Sequence, residues 1–415
     1  MFLKAYAAPA VALSPEGPGP MGCDPVIGPH GVYLKRGVWQ AAGQLCPGFG
    51  MRGRMKGRHA IGGGGHPRSG PRHAPVPVAS GPWGRRQALS RQALSGLREA
   101  VGTQSVFIFL YMVAMQLVGY SVGVILIAVQ GLPAGGGISF ERTVANLDGW
   151  RMAELYLLST TVAFVFMILY RRRQIADPGP GGVFRRSSRP MTFPVLLTAL
   201  LLVLAAQSLS KLYDFGLIRT VGRLGETVGE GGDMSLLWPT SAALPMLLYS
   251  CLWGPVVEET VFRGAVLGAL KRYGRGFAIV TTSFLFALLH GNLSQSVFAF
   301  GLGLVLGFVG CEYSLIWPIG LHVASNLAAF YLPNLVRQSL AGYGLRGAAL
   351  QTGAVCFWAL IAVLGALVLV CWRHRLAAFL RADRSAPNIY ASWGGFWFLL
   401  VSGVQAVLIV WRLVH

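Results

Sequence analysis

Residues 241–272 read SAALPMLLYSCLWGPVVEETVFRGAVLGALKR. Glu258, Glu259 and Arg263 are the only charges before Lys271 and Arg272 close the stretch. A helix crossing the hydrocarbon core needs roughly 17 to 25 residues, so 241–270 is long for one span and short for two. As one helix it is bent at Pro255, which cannot donate a backbone hydrogen bond and crowds the preceding turn. As two, it would carry Lys271 and Arg272 to the other face of the membrane and invert every later segment. The topology of the chain turns on this choice.

Composition sets the frame for it. The 415 residues are 54% apolar and 12% charged, with a mean hydropathy of +0.55. Soluble domains carry about a quarter charged residues, so the chain reads as an all-α, polytopic transmembrane helix bundle. Apolar stretches recur at about 104–132, 153–170, 191–209, 241–270, 277–293, 295–311, 316–333, 350–372 and 391–411, which gives about nine spans. The net charge of +20, from 35 Lys and Arg against 15 Asp and Glu, would point to nucleic acid in a soluble chain. Here it reports cytoplasmic flanks, and no nucleic-acid partner is expected.

The positions of the basic residues favour the single bent helix, because cytoplasmic loops collect Lys and Arg. With the N-terminus inside, the cytoplasmic face receives Arg171, Arg172, Arg173, Arg185, Arg186, Arg189, Lys271, Arg272, Arg275, Arg373, Arg375, Arg381 and Arg384. The other face receives Arg142, Arg151, Lys211, Arg219, Arg223, Arg337, Arg346 and Arg412, which makes 13 against 8. The expected location is therefore a multi-pass protein of the cell membrane with a cytoplasmic N-terminus. Residues 1–100 form a Gly-, Pro- and Arg-rich arm with 13 basic residues against Glu16, Asp24 and Glu99. Its sequence lacks the periodicity to bury a core and reads as disordered. Beyond it, residues 101–239 carry the N-terminal transmembrane helices, 240–335 a polar-residue-bearing core, and 336–415 the C-terminal helices. The six cysteines form neither a disulfide framework nor a CxxC site.

Ionisable groups at membrane depth cost about 2.5 to 3.5 kcal/mol each on insertion scales and mark function by default. They concentrate in three neighbouring segments: Glu258, Glu259 and Arg263; His290; and His322 with Asn326. Glu259 and Arg263 stand four apart in the favourable acid-before-base order and pair on one helix face. Glu258 points about 100° away and is the spare carboxylate, the candidate for chemistry. Phe286 and His290, four apart, allow the ring to pack beneath the imidazole. His322 and Asn326 put two hydrogen-bonding groups on one face. Glycines 301, 303, 307 and 310 read as a close-packing surface, and Asp214, Glu226, Glu230 and Asp233 as a polar loop.

These residues also carry a resemblance. Glu258-Glu259-Thr-Val-Phe-Arg263 is similar to EExxxR, Phe286-Ala-Leu-Leu-His290 to FxxxH, and His322-Val-Ala-Ser-Asn326 to HxxxN, in the order found in the CPBP (CAAX protease and bacteriocin-processing, Abi) family of intramembrane proteases. The resemblance covers about residues 240–335. It implies hydrolysis of a peptide bond in a membrane-associated peptide or protein. Glu258 would act as general base, His290 would help hold the water, His322 and Asn326 would stabilise the oxyanion, and Glu259, Arg263 and Phe286 would organise the site. Family members are often labelled metalloproteases, and Glu258, His290 and His322 make a conceivable ligand set for zinc or another divalent ion. The absence of HExxH and the placing of each histidine on a separate helix favour a metal-free reaction. Two other classes stay open: a proton-coupled transporter, and a non-catalytic scaffold or bacteriocin-immunity factor of the same family. The sequence leaves the oligomeric state undetermined.

Overall fold

The computed structural model describes residues 88–129, 149–177, 182–184, 187, 189–222, 243–383 and 385–414. The first 87 residues of the arm lie outside them, as do Arg142, Arg185, Arg186, Arg223, Glu226, Glu230, Asp233 and Arg384. Among the described residues the fold is helical without strands. The helices are α1 (Arg91–Val129), α2 (Gly149–Tyr170), α3 (Arg172–Ala176), α4 (Phe193–Gly222), α5 (243–270), α6 (Arg275–Leu289), α7 (Leu293–Glu312), α8 (Ile316–Gly342), α9 (Gly347–Ala382) and α10 (Phe396–Val414). Each of the nine expected spans falls on one of them, α3 being the short extra helix. Six helices are long and apolar enough to cross a membrane by length and composition, α6 and α10 contribute shorter apolar helices, and α5 is broken into short segments.

Several boundaries differ from the sequence reading, each for a local reason. Helix α1 begins at Arg91, inside the stretch read as arm. Ser90 Oγ accepts from Ala93 N at 3.2 Å, and the buried Leu97 and Val101 face the bundle. This first part docks on the other end of the chain through Leu89 N to Asn388 Oδ1 at 2.7 Å and Arg98 Nε to Ala391 O at 3.3 Å. Helix α6 stops at Leu289 rather than 293. Gly291 then takes φ +59°, and Asn292 caps α7 by accepting from Gln295 N. Helix α4 runs on past residue 209, so Asp214 lies on a helix and not in a loop.

Helix α5 is the departure that matters most. It is one continuous helical run, as the charge balance demanded, but it contains two π segments, Leu248–Trp253 and Thr260–Val266. Gly254 N–H reaches back five residues to Tyr249 O just ahead of Pro255, so the wider turn absorbs the donor that proline lacks. Leu267 N–H bonds Phe262 O in the same way. The two widened turns bracket Glu258 and Glu259.

Lipid tails are as apolar as leucine, so helices in a membrane associate through close packing and polar contacts. Helix α7 supplies the close packing: a Cβ on Gly301 would meet Ala206 of α4 at 3.0 Å, on Gly303 Ser283 of α6 at 2.9 Å, and on Gly307 Ile279 of α6 at 3.0 Å. Gly365 of α9 is tighter still, 2.2 Å from the Ala205 Cβ of α4. One end of the bundle carries a cluster of basic residues. There Glu312 binds Arg189 and Arg275, and Arg275 lies 4.7 Å from the Phe379 ring. At the same end Arg171 donates to Gln104 Oε1 at 2.8 Å and covers the Phe107 ring at 4.1 Å. Burial there pulls its guanidinium below the ordinary arginine range.

Candidate active site

Three helices bring the predicted residues together. Glu259 and Arg263 are sealed in the bundle, each with a side chain 0% exposed, and Arg263 Nη1 donates to Glu259 Oε1 at 2.9 Å. His322 of α8 donates from Nδ1 to the same oxygen at 2.8 Å. A carboxylate with two donors on one oxygen holds the imidazole plane and points its Nε2 toward Glu258, whose Oε2 is 3.8 Å away. The Glu258 side chain is 28% exposed, and that fraction sets it apart: one acid is locked, its neighbour faces open space.

Phe286 is the hub beneath them. Its ring lies 4.9 Å from Phe262, 4.9 Å from His290 and 5.9 Å from His322, all edge-on, while the Arg263 guanidinium sits 4.5 Å from its centre. The ring face therefore takes the guanidinium as a cation–π partner, and its edges fix two imidazoles. His290, the residue following α6, places Nδ1 2.9 Å from Phe286 O. A carbonyl only accepts, so Nδ1 carries the hydrogen and Nε2 is left as an acceptor. Asn326, one turn beyond His322, donates from Nδ2 to Ser250 O at 2.7 Å, on the first π segment of α5. One amide hydrogen of Asn326 is thereby spent and one remains.

Glu258, His290, His322 and Asn326 all line one cavity of about 270 Å³, and Glu259, Arg263 and Phe286 stand behind its wall. Among the described residues no group of three or more His, Cys, Asp or Glu side chains is placed to hold a metal ion. The sequence reading missed part of the lining: Tyr111, Gln116, Tyr156, Lys211, Asp214 and Tyr249 also border the cavity. The tyrosines carried no signal, since a single tyrosine in an apolar span looks like core. Lys211 and Asp214 did carry one, three apart at helical spacing, but they lie beyond the apolar run, where Asp214 was read as loop and Lys211 only as a basic residue of the far face.

The family model described as Type II CAAX prenyl endopeptidase Rce1-like matches residues 240–328. Over that segment the chain is similar to that family. The match takes in α5 to the middle of α8, the helices that carry every residue from Glu258 to Asn326. A Bacillus subtilis (strain 168) protein described as "Putative membrane peptidase YdiL" is 30% identical over 83 residues, which is 20% of this chain. The aligned part spans 34% of that relative's length. No solved structure matches the chain. With its series of apolar helices around the Rce1-like segment, the protein is a multi-pass integral membrane protein.

Proposed function

We propose that the protein is an intramembrane endopeptidase that hydrolyses a peptide bond of a membrane-associated peptide or protein with a water activated by Glu258. The observation that carries this is the meeting of Glu258, His290, His322 and Asn326, from three helices, around one cavity inside the bundle. Water held there has two acceptors for its hydrogens, the Glu258 carboxylate and the free Nε2 of His290, which leaves a lone pair for the peptide carbonyl. As the water oxygen bonds to the carbonyl carbon, Glu258 takes a proton and the carbonyl oxygen becomes an oxyanion. The remaining Asn326 amide hydrogen and a proton on His322 Nε2 stabilise it, with Glu259 balancing the imidazole charge. Glu258 then returns its proton to the departing nitrogen as the C–N bond breaks, giving a new amine and a new carboxylic acid, whose remaining water-derived proton passes to that amine to leave a carboxylate. A positioned base contributes about 10²- to 10⁴-fold, and fixed oxyanion donors in a water-poor site contribute about as much again. No step passes through a metal.

The adjacent acids have separate tasks in this scheme. Glu259 orients His322 and neutralises Arg263, and Glu258 reacts. A buried ion-pair network with no catalytic task would not need the second carboxylate, which adds negative charge where desolvation makes it costly. The test is a comparison of membrane peptidomes from cells carrying the wild-type protein and the nearly isosteric Glu258→Gln variant. Cleavage products present only with the wild type support the reading and name the substrate. Identical peptidomes at equal protein levels overturn it.

A further inference from the structure

Helix α4 turns a polar stripe to the cavity. Gln207, Ser210, Lys211 and Asp214 recur at helical spacing and all four border it. None of them reacts in the proposed hydrolysis. The stripe is rigidly held, because Gly301 of α7 brings its backbone against Ala206 and Gly365 of α9 against Ala205. Ser210 Oγ also donates to Ser294 O at 3.2 Å, and Ser294 follows His290 by four residues. The stripe is thereby fixed against the turn that carries His290.

Lys211 is its odd member. Apart from the two histidines, the charged side chains that border the cavity are Glu258, Asp214 and Lys211. A lysine in a membrane helix commonly runs its stem along lipid to reach the headgroups. This one is half-buried on the cavity wall, about 200° round the helix from the exposed Leu209. Among the described residues no carboxylate pairs with its ammonium, Asp214 included. The described side chains whose charge bears on Glu258 are His322, Glu259 and Arg263, so Lys211 is not the counter-ion of the reacting acid. A buried ammonium without an anion is costly.

Gln207, one turn earlier, repeats the pattern. It is 3% exposed, and neither its Oε1 nor its Nε2 has a partner among the described residues. An amide deprived of both hydrogen bonds is costly as well, and a donor beside an acceptor complements a peptide group. The two positions stand about 6 Å apart along the helix, close to the length of two residues of an extended peptide. We propose that Lys211 selects the peptide that the cavity binds: its ammonium receives a carboxylate of that segment, from an acidic side chain or from a free C-terminus, while Gln207 supplies its unspent amide to the main chain beside it. This deepens the peptidase reading and rests on it for calling the peptide a substrate. The binding step itself needs no catalysis.

The test is peptide binding to the full-length chain in phosphatidylcholine nanodiscs, with Glu258→Gln in every sample so that bound peptide is not cut. The probes are pools of random dansylated decapeptides, made as the C-terminal acid or amide, each with or without Asp and Glu. A pool bearing the right carboxylate is expected to bind about tenfold more tightly than the amide pool that lacks Asp and Glu. Lys211→Met is expected to erase that preference and Lys211→Arg to keep it, at an unchanged melting temperature, and Lys211→Gln repeats the comparison with a polar side chain. Gln207→Leu is expected to weaken every pool by a similar factor, since the main chain is common to all. Preference for the amide pool containing Asp and Glu assigns the acidic side chain, and preference for the acid pool without them assigns the C-terminus. Equal binding of all pools, or a preference that survives both Lys211→Met and Lys211→Gln, overturns the inference. A missing preference leaves the peptidase reading standing, and identical peptidomes leave the carboxylate preference standing.

Discussion

Two carboxylates in this molecule do the same thing in opposite settings. Glu259, at membrane depth, holds Arg263 and His322 with both of its ion-pair partners buried. Glu312, at the basic end, holds Arg275 and Arg189, whose side chains are 35% and 70% exposed. In water-poor surroundings an ion pair is expensive to assemble and more expensive to break. At an exposed edge, solvent and salt absorb most of the interaction. The first arrangement therefore fixes an imidazole to within the tolerance that chemistry needs, whereas the second ties the segment before α4, through Ser187 Oγ to Glu312 O as well, to the end of α7.

Substitutions that break each arrangement are expected to separate the two regions. The largest effect falls on the reacting group: Glu258→Gln is expected to lower turnover by about 10²- to 10⁴-fold with an unchanged melting temperature, read by peptide cleavage and thermal unfolding in detergent. Next comes Arg263→Leu, which leaves Glu259 buried without its cation. It is expected to cost about 3 to 5 kcal/mol of stability and to abolish cleavage, because Glu259, which holds His322, loses the cation that fixes it in place. Gly365→Leu, outside the cavity lining, forces α9 off Ala205 and is expected to cost about 1 to 3 kcal/mol while turnover per folded molecule stays at the wild-type value. Arg189→Ala at the exposed clamp is expected to shift stability by no more than a few tenths of a kcal/mol, and less in high salt. Prolonged dialysis against a metal chelator is expected to change turnover not at all. A loss that added zinc restores would contradict the metal-free reaction.

Much of this contrast was legible in the chain. Apolar stretch lengths placed all nine spans on helices, and the basic flanks required the 241–270 segment to run as one helix, as its described residues 243–270 do. The four-residue spacing of Glu259 and Arg263 foretold their pairing, and that of Phe286 and His290 foretold the ring contact. What spacing does not encode is how a helix is wound. The first π turn lies just ahead of Pro255, and the second contains Gly264, which Val183 approaches from 81 positions away in the sequence. The bond from Asn326 to Ser250 O is hidden for the same reason, since its acceptor belongs to the first widened turn. Asp214 was misplaced in a loop because charge ended the apolar run before the helix ended.

In the proposed reaction a carboxylate and two imidazoles from separate helices gather one water to cut a peptide bond inside the bundle. That reaction is tested most directly by placing purified wild-type and Glu258→Gln protein in lipid nanodiscs with the membrane peptides that accumulate in cells of the variant. The account predicts new peptide C-termini with the wild type and none with the variant, at equal folded protein. Equal cleavage by both, or none by either, would contradict it.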